Sequence, residues 1–170
     1  LEARGIRDIT GIDHDPEVIA VAPDSVRDRI IVQDVGGWLQ QTAGQPPCAR
    51  LVLLDVLEHF TPDEGFLLLS KIRDRLEKPG KIVIRVPNGA SPWGMSYQTG
   101  DLTHKTAFSS ESLRQLATAC GLQVDTLYDQ RRGSPRRQWT DALLHKFLSW
   151  ALLTPPAHWG ANLYCVMGRE

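Results

Sequence analysis

Arg50-Leu-Val-Leu-Leu-Asp-Val-Leu-Glu-His-Phe60 is the stretch from which the rest of the chain can be read. Leu51 to Leu54 form a continuous apolar run, the pattern of a parallel strand whose sheet is covered by helices on both faces. Asp55, Glu58 and His59 follow at once, so three ionisable groups collect at the carboxyl end of a strand, where open α/β sheets place their ligands. The same residues would also serve as the start of an ordinary loop, and the flanking chain has to decide between the two.

Downstream, Thr61-Pro62-Asp63-Glu64 is a capping box with proline at the first helical position. Leu68, Leu69, Ile72 and Leu76 then recur at helical spacing, and Pro79-Gly80 is the expected stop. Lys81 to Val86 reads as the next strand, with Pro87-Asn88-Gly89 turning out of it. Upstream, Gly44 to Pro47 is a connector, and Arg29 to Gln33 is a strand that leads through Asp34-Val35 into Gly36-Gly37-Trp38. Before that, Ile6 to Asp13 is a β pattern ending in an acid. Asp15 as N-cap and Pro16 at the first position open a helix that Pro23 bounds. Leu1 to Gly5 reads as the tail of a helix with Gly5 at its C-cap, so further chain is expected before residue 1.

Residues 89 to 108 form a long irregular stretch, and loops of that length in compact domains are functional lids or disordered segments. Trp93, Met95, Tyr97 and Phe108 favour the lid. Ser109 caps a helix with Leu113, Leu116 and Ala117 inward and Gly121 at its end, and Leu122 to Tyr128 is a strand. The run Arg131-Arg-Gly-Ser-Pro-Arg-Arg137 precedes Trp139, Leu143, Leu144, Phe147, Leu148 and Trp150. Residues 131–153 are thus a basic amphipathic insertion, suited to an anionic membrane surface, to the domain itself or to a second copy of the chain. Asn162 to Met167 is the last strand.

At 170 residues, 42% of them hydrophobic, the chain suits one domain over 1–170 with its own core. The net charge of −1 gives no global pull toward nucleic acid. Three scattered cysteines lack metal-ligand spacing, so no metal is expected and a reduced, cytoplasmic setting is. No apolar run approaches the roughly 20 residues of a membrane span.

Taken in order, Asp55-Val-Leu-Glu-His-Phe60, the proline-initiated helix, Pro79-Gly80, a strand, Pro87-Asn88 and then Gly100-Asp-Leu-Thr-His104 with Ala107-Phe-Ser109 resemble class I S-adenosylmethionine-dependent methyltransferases. The last of these motifs is similar to bacterial enzymes of cell-surface polysaccharide and lipid-carrier pathways. The resemblance implies a doubly wound, mostly parallel Rossmann-like α/β sheet of seven strands in the order 3-2-1-4-5-7-6, the last antiparallel. Strands 2 to 7 find places in this chain; strand 1 and its glycine-rich loop do not, and are expected upstream. Ala49 stands where the family often has Asp.

It further implies S-adenosylmethionine as cofactor, with Asp13 accepting from the ribose hydroxyls, Asp34 from the adenine amino group, the Val35 backbone meeting a ring nitrogen, and His14, Leu54 and Asp55 beside them. The acceptor would be a small molecule or lipid-linked glycan held by residues 89–108. His104 is the catalytic candidate as general base, with His59 beside it. A non-catalytic remnant of the fold, acting as a binding or assembly module, is the alternative. A nucleotide-binding oxidoreductase is disfavoured because no Gly-x-Gly-x-x-Gly follows any strand.

Overall fold

The computed structural model describes residues 5–6, 8–130 and 133–169. The expected helix tail at residues 1–4 and the first two arginines of the basic run, Arg131 and Arg132, lie outside them. The chain forms two compact units, Leu1–Pro46 and Pro47–Glu170.

In the first unit β1 (Gly11–Asp13) and β2 (Ile30–Val32) pair in parallel, with Asp13 opposite Val32. The strand expected from Ile6 is thus three residues long. Three short helices accompany the pair: α1 (Val18–Val21), α2 (Asp24–Arg27) and α3 (Val35–Gln41). The N-cap of α1 is Glu17 rather than Asp15. Asp15 instead closes a turn, its Oδ1 accepting from the Glu17 N–H at 2.9 Å, because a short acidic side chain satisfies a donor two residues on as readily as a helix end. Asp34 does cap α3, accepting from the Gly37 N–H at 2.8 Å. Arg27 ties α2 to α1, donating to the carbonyls of Ile19 and Ala22 at 3.0 and 2.9 Å.

The second unit is a four-stranded sheet in the order β3 (Cys48–Leu54), β4 (Leu76–Pro87), β6 (Asn162–Gly168), β5 (Gln123–Asp129), with β6 antiparallel to both neighbours. This order and the reversed last strand agree with the expected 4-5-7-6 half of the fold. The expected single seven-stranded sheet is not what the described residues form: they carry six strands in sheets of two and four.

Alternation along β4 and β6 makes the core. Ile82, Ile84 and Val86 face Met167, Cys165 and Leu163 across the ladder, and all six are fully buried. Each large aliphatic side chain buried in this way contributes about 1.5–3 kcal/mol. Two helices add to that core: α4 (Pro62–Arg75), through Leu68, Leu69 and Ile72, and α6 (Ser110–Ala119), through Leu113 and Ala117. Both ends expected of α4 were tested by the structure. The capping box is present, Thr61 N–H donating to Glu64 Oε2 at 2.8 Å and Glu64 N–H to Thr61 Oγ1 at 3.3 Å. The stop is four residues earlier than Pro79, because Leu76 is taken into β4 opposite Cys48 and is 2% exposed there.

Two further expectations change. Leu51 to Leu54 does lie in a strand, but among the described residues β3 pairs only with β4, so Val52 and Leu54 are about half exposed at 52% and 47% and only Leu53 is buried. The stretch 89–108 is not irregular throughout: α5 (Pro92–Gly100) occupies its first half. Ser91 caps it by accepting from the Trp93 N–H at 3.2 Å, with Pro92 at the first position. Ser91-Pro92 repeats the chemistry of Thr61-Pro62, and so does Ser134-Pro135 at the start of α7 (Pro135–Ala151).

The buried Asn88 fixes where α5 begins. Its side-chain N–H groups donate to the carbonyls of His158 and Gly160 at 2.9 and 3.0 Å, and its backbone N–H donates to Ala161 at 2.8 Å. Gly94 packs against this node: a Cβ there would overlap the carbonyl oxygens of Asn88 and Ala161, neither of which can move without breaking the node. Gly94→Ala should therefore cost more than the roughly 1–3 kcal/mol typical of overpacking, measured by urea denaturation. Gly100→Ala, where a Cβ meets nothing within 4 Å, is the control and should leave stability within about 0.5 kcal/mol or raise it.

Candidate functional site

The site of the second unit is built where β3 ends. Asp55 leaves the strand with φ +55°, the left-handed region that acids tolerate better than most residues. That turn is followed by one turn of 3-10 helix, Leu57–His59, which drives Leu57 and Glu58 inward; both are 0% exposed. Across the parallel pair, Arg85 donates its Nε to Asp55 Oδ1 at 2.9 Å and its Nη2 to Asp55 Oδ2, a two-pronged ion pair.

The segment after α5 is hung on the same turn. Lys105 and Thr106 N–H groups both donate to the Glu58 carbonyl, at 2.8 and 3.1 Å, and the Thr106 hydroxyl donates to the Phe60 carbonyl at 2.7 Å. This brings Asp101, Thr103 and His104 against Glu58 and His59. The two imidazoles meet edge to face with centroids 4.7 Å apart.

Hydrogen bonding decides which nitrogens carry protons. His104 Nδ1 lies 3.1 Å from the Gln98 carbonyl oxygen, an acceptor only, so Nδ1–H donates and the neutral ring carries its lone pair on Nε2. Thr103 Oγ1 lies 2.7 Å from Asp101 Oδ1 and 2.9 Å from His59 Nδ1. The single hydroxyl proton goes to the carboxylate, so Thr103 Oγ1 accepts from His59 Nδ1–H, and the neutral His59 ring carries its lone pair on Nε2. Hydrogen bonds from the Thr103 side chain and backbone hold Asp101 below the usual carboxylate range, which keeps it an acceptor.

Glu58 is the unusual member. Neither carboxylate oxygen receives a hydrogen bond from any described residue, and His104 Nε2 is 4.0 Å from Oε1. Burial pushes its pKa from 4.5 up to about 7, and the nearby Asp55 charge adds to the rise against the opposing pull of its own backbone, of Arg85 and of His104 when that ring is protonated. A cavity of about 270 Å³ opens here, lined also by Tyr97 of α5, by Asp55 and Arg85, and by Asn162.

Of the residues expected at a site, His59, His104 and Asp55 come together at this cavity. Leu54 ends β3 beside them, with its side chain half exposed. Asp13, His14, Asp34 and Val35 lie in the first unit. Asp13 Oδ1 accepts from the Asp15 N–H at 3.0 Å, His14 is 86% exposed by its side chain, and Asp34 is committed to capping α3 through one oxygen.

Glu58, named from the sequence with Asp55 and His59 as an ionisable group at the strand end, is in the lining, as are Tyr97 and Asp101 of the 89–108 stretch; Arg85 was not expected at the site. Glu58 stands in the stretch that decided the fold, but nothing in a sequence distinguishes a buried acid from a solvated one. Asp101-Leu-Thr103 carries a usable signal, since an acid two residues before a threonine commonly closes a turn on it.

Neither a family model nor a curated protein sequence matches the chain. Solved structures do. An S-adenosylmethionine-dependent methyltransferase from Archaeoglobus fulgidus superposes with a TM-score of 0.69 at 18% identity, over 94% of this chain and 75% of that one. A second such enzyme, from Clostridium acetobutylicum ATCC 824, gives 0.59 at 8% identity over 94% and 74%. LepI, solved in complex with SAH and a substrate analogue, gives 0.59 at 15% over 99% of this chain and 38% of its own. The chain has the α/β fold of S-adenosylmethionine-dependent methyltransferases, over three quarters of the length of the first of these structures and well under half of LepI.

Proposed function

We propose that the chain carries out methyl transfer from S-adenosylmethionine to a small-molecule or lipid-linked glycan acceptor, the latter suggested by the Gly100 to Ser109 motif. The observation that carries this reading is the cavity at the carboxyl ends of β3 and β4, where Glu58, His59 and His104 gather beside Tyr97 of α5.

The residues present fit the cofactor. Asp13 ends β1 with a half-exposed carboxylate, one oxygen of which is held by the Asp15 N–H, leaving the other for a pair of ribose hydroxyls. Asp34 ends β2 in the same manner, held by Gly37 through Oδ1, with Val35 next to it at the start of α3. His14 in the first unit, and Leu54 and Asp55 in the second, are the other cofactor residues of this reading, Asp55 being held by Arg85 within its own unit.

When bound, the cofactor supplies a methyl group on a positively charged sulfur, and the carbon–sulfur bonding pair stays with sulfur as the acceptor's lone pair forms the new bond. The chain's part is to align the acceptor, to keep water out and to remove the acceptor's proton. His104 and His59 are the catalytic pair in this reading, gathered with Glu58 at the acceptor's end. The hydrogen bonds from Nδ1 to Gln98 and Thr103 hold both rings in that orientation.

The outward face of α7 gives the acceptor's setting. This helix docks by its polar side: Trp93 Nε1 donates to His145 Nε2 at 3.0 Å, Trp159 Nε1 donates to Ser149 Oγ at 2.9 Å, and His145 stacks on Trp159 at 5.1 Å. Trp139, Leu143, Phe147 and Trp150 are left between 50% and 79% exposed on the opposite side, flanked by Arg136 and Lys146. An aromatic apolar stripe edged by cations suits the headgroup region of an anionic membrane. No helix among the described residues is long and apolar enough to cross one.

Two measurements check these points. Calorimetry should show saturable binding of S-adenosylhomocysteine, and Asp13→Ala should weaken it by about 1.5–3 kcal/mol, the scale of a hydrogen bond to a charged group; equal affinity in the variant removes the ribose role. Co-sedimentation with vesicles should need anionic lipid and fall as salt rises, since each surface cation contributes about 1 kcal/mol and is screened within a Debye length. Salt-insensitive dimers with no vesicle binding would assign the face to a second copy of the chain.

A further inference from the structure

We propose that Glu58, His59 and His104 bind a divalent transition-metal ion of the Mn²⁺ or Zn²⁺ class at the end of the cavity. One ligand atom from each of the three residues lies within 4.8 Å of the other two. The candidate ligand atoms are a Glu58 carboxylate oxygen, a His59 ring nitrogen and His104 Nε2, which lies 4.0 Å from Glu58 Oε1 and 3.8 Å from Asp101 Oδ2. All are acceptors, and no described residue donates to the Glu58 oxygens. A buried acid with that surrounding is costly unless a cation stands among the lone pairs.

The arrangement favours a metal ion over a shared proton. One proton on Glu58 satisfies one acceptor and leaves the other lone pairs unmatched. Each imidazole also donates Nδ1–H to an oxygen, His104 to a backbone carbonyl and His59 to a hydroxyl that is itself anchored on a carboxylate. That outer bonding is what fixes ring and tautomer for metal-ligating histidines. Two nitrogens and one carboxylate select borderline ions over Mg²⁺ or Ca²⁺, which want oxygen alone. Ligand atoms bound at about 2.0–2.2 Å lie roughly 3–4.4 Å apart, so small side-chain rotations close the cluster.

The inference rests on the reading of the cavity as the acceptor's end and deepens it. Three protein ligands leave coordination positions open, the pattern of catalytic rather than structural sites. An acceptor hydroxyl entering there is acidified by the ion and releases its proton to Asp101 or to solvent. Its oxygen lone pair then forms the bond to the methyl carbon. His104 acts in this scheme as a ligand and not as the base itself.

The test is calorimetry on the whole chain after treatment with EDTA, titrated with MnCl₂, ZnCl₂ and, for comparison, MgCl₂. Expected are one saturable site for Mn²⁺ or Zn²⁺, at least about tenfold weaker binding of Mg²⁺, and a melting temperature that climbs with the concentration of the bound ion. Glu58→Gln and His104→Gln should each abolish that site. Because either change could disturb the buried turn, Thr103→Val is the second variant: Thr103 is exposed, and its loss frees His59 Nδ1. That substitution should weaken the ion by roughly 10–100-fold without changing the melting temperature of the metal-free protein. The proposal is overturned by folded wild-type protein that shows no saturable binding of Mn²⁺ or Zn²⁺ up to about 1 mM, the weak end of functional divalent sites, or by affinity unchanged in all three variants. Because the readout is the metal alone, loss of S-adenosylhomocysteine binding with the ion still bound would count against the methyl-transfer reading and leave the metal site standing.

Discussion

The burial of one face of β4 and β6 is the constraint on which the second unit depends. Ile82, Ile84 and Val86 meet Met167, Cys165 and Leu163 pair by pair, and a slip of either strand by one residue would send its three to the opposite face. That register also decides polar geometry. With Ile84 and Val86 inward, Arg85 must emerge on the other face, where it lies opposite Leu54 and Tyr164 in the two ladders. There its guanidinium reaches Asp55, one residue beyond β3, and the ion pair holds the left-handed turn that aims Glu58 inward. A hydrophobic pattern thus sets the position of a carboxylate.

The cavity end is held together by backbone and used by side chains. Glu58 spends its carbonyl on Lys105 and Thr106, and its carboxylate on nothing that donates. Asp101, Thr103 and Gln98 are spent on orienting the two imidazoles. The result is a pocket wall whose polar atoms have been deprived of protons in one direction and anchored in the other. Such a wall attracts positive charge or an acidic hydrogen, which is the demand a nucleophilic acceptor makes during methyl transfer.

The reversed amphipathicity of α7 has a related logic. A helix that packs by His145 and Ser149 and exposes Trp139, Phe147 and Trp150 gives up apolar burial within its own chain. Isolated exposed apolar residues are ordinary on a protein surface, whereas a contiguous stripe marks an interaction face. The bonds through Trp93 join α7 to α5, the helix that supplies Tyr97 to the cavity.

By itself the sequence determined the elements whose cause is local. The Thr61 capping box, the Ser109 cap and the alternation of β4 and β6 are written in spacing and cap chemistry, and each is found in place. Ser91-Pro92 carries the same cap chemistry for α5, but the length of the stretch led its sequence reading to a loop instead. Where propensity and pairing compete, the sequence alone does not arbitrate: Leu76 keeps helical spacing, yet the ladder with β3 takes it. The candidate site belongs to the same category. His59, His104 and Asp55 could be named because their residue types and positions suggest chemistry. That Glu58 is buried without a donor, and that His59 and His104 gather with it in one cluster, depends on contacts between residues more than 40 positions apart, which only the folded chain brings within reach.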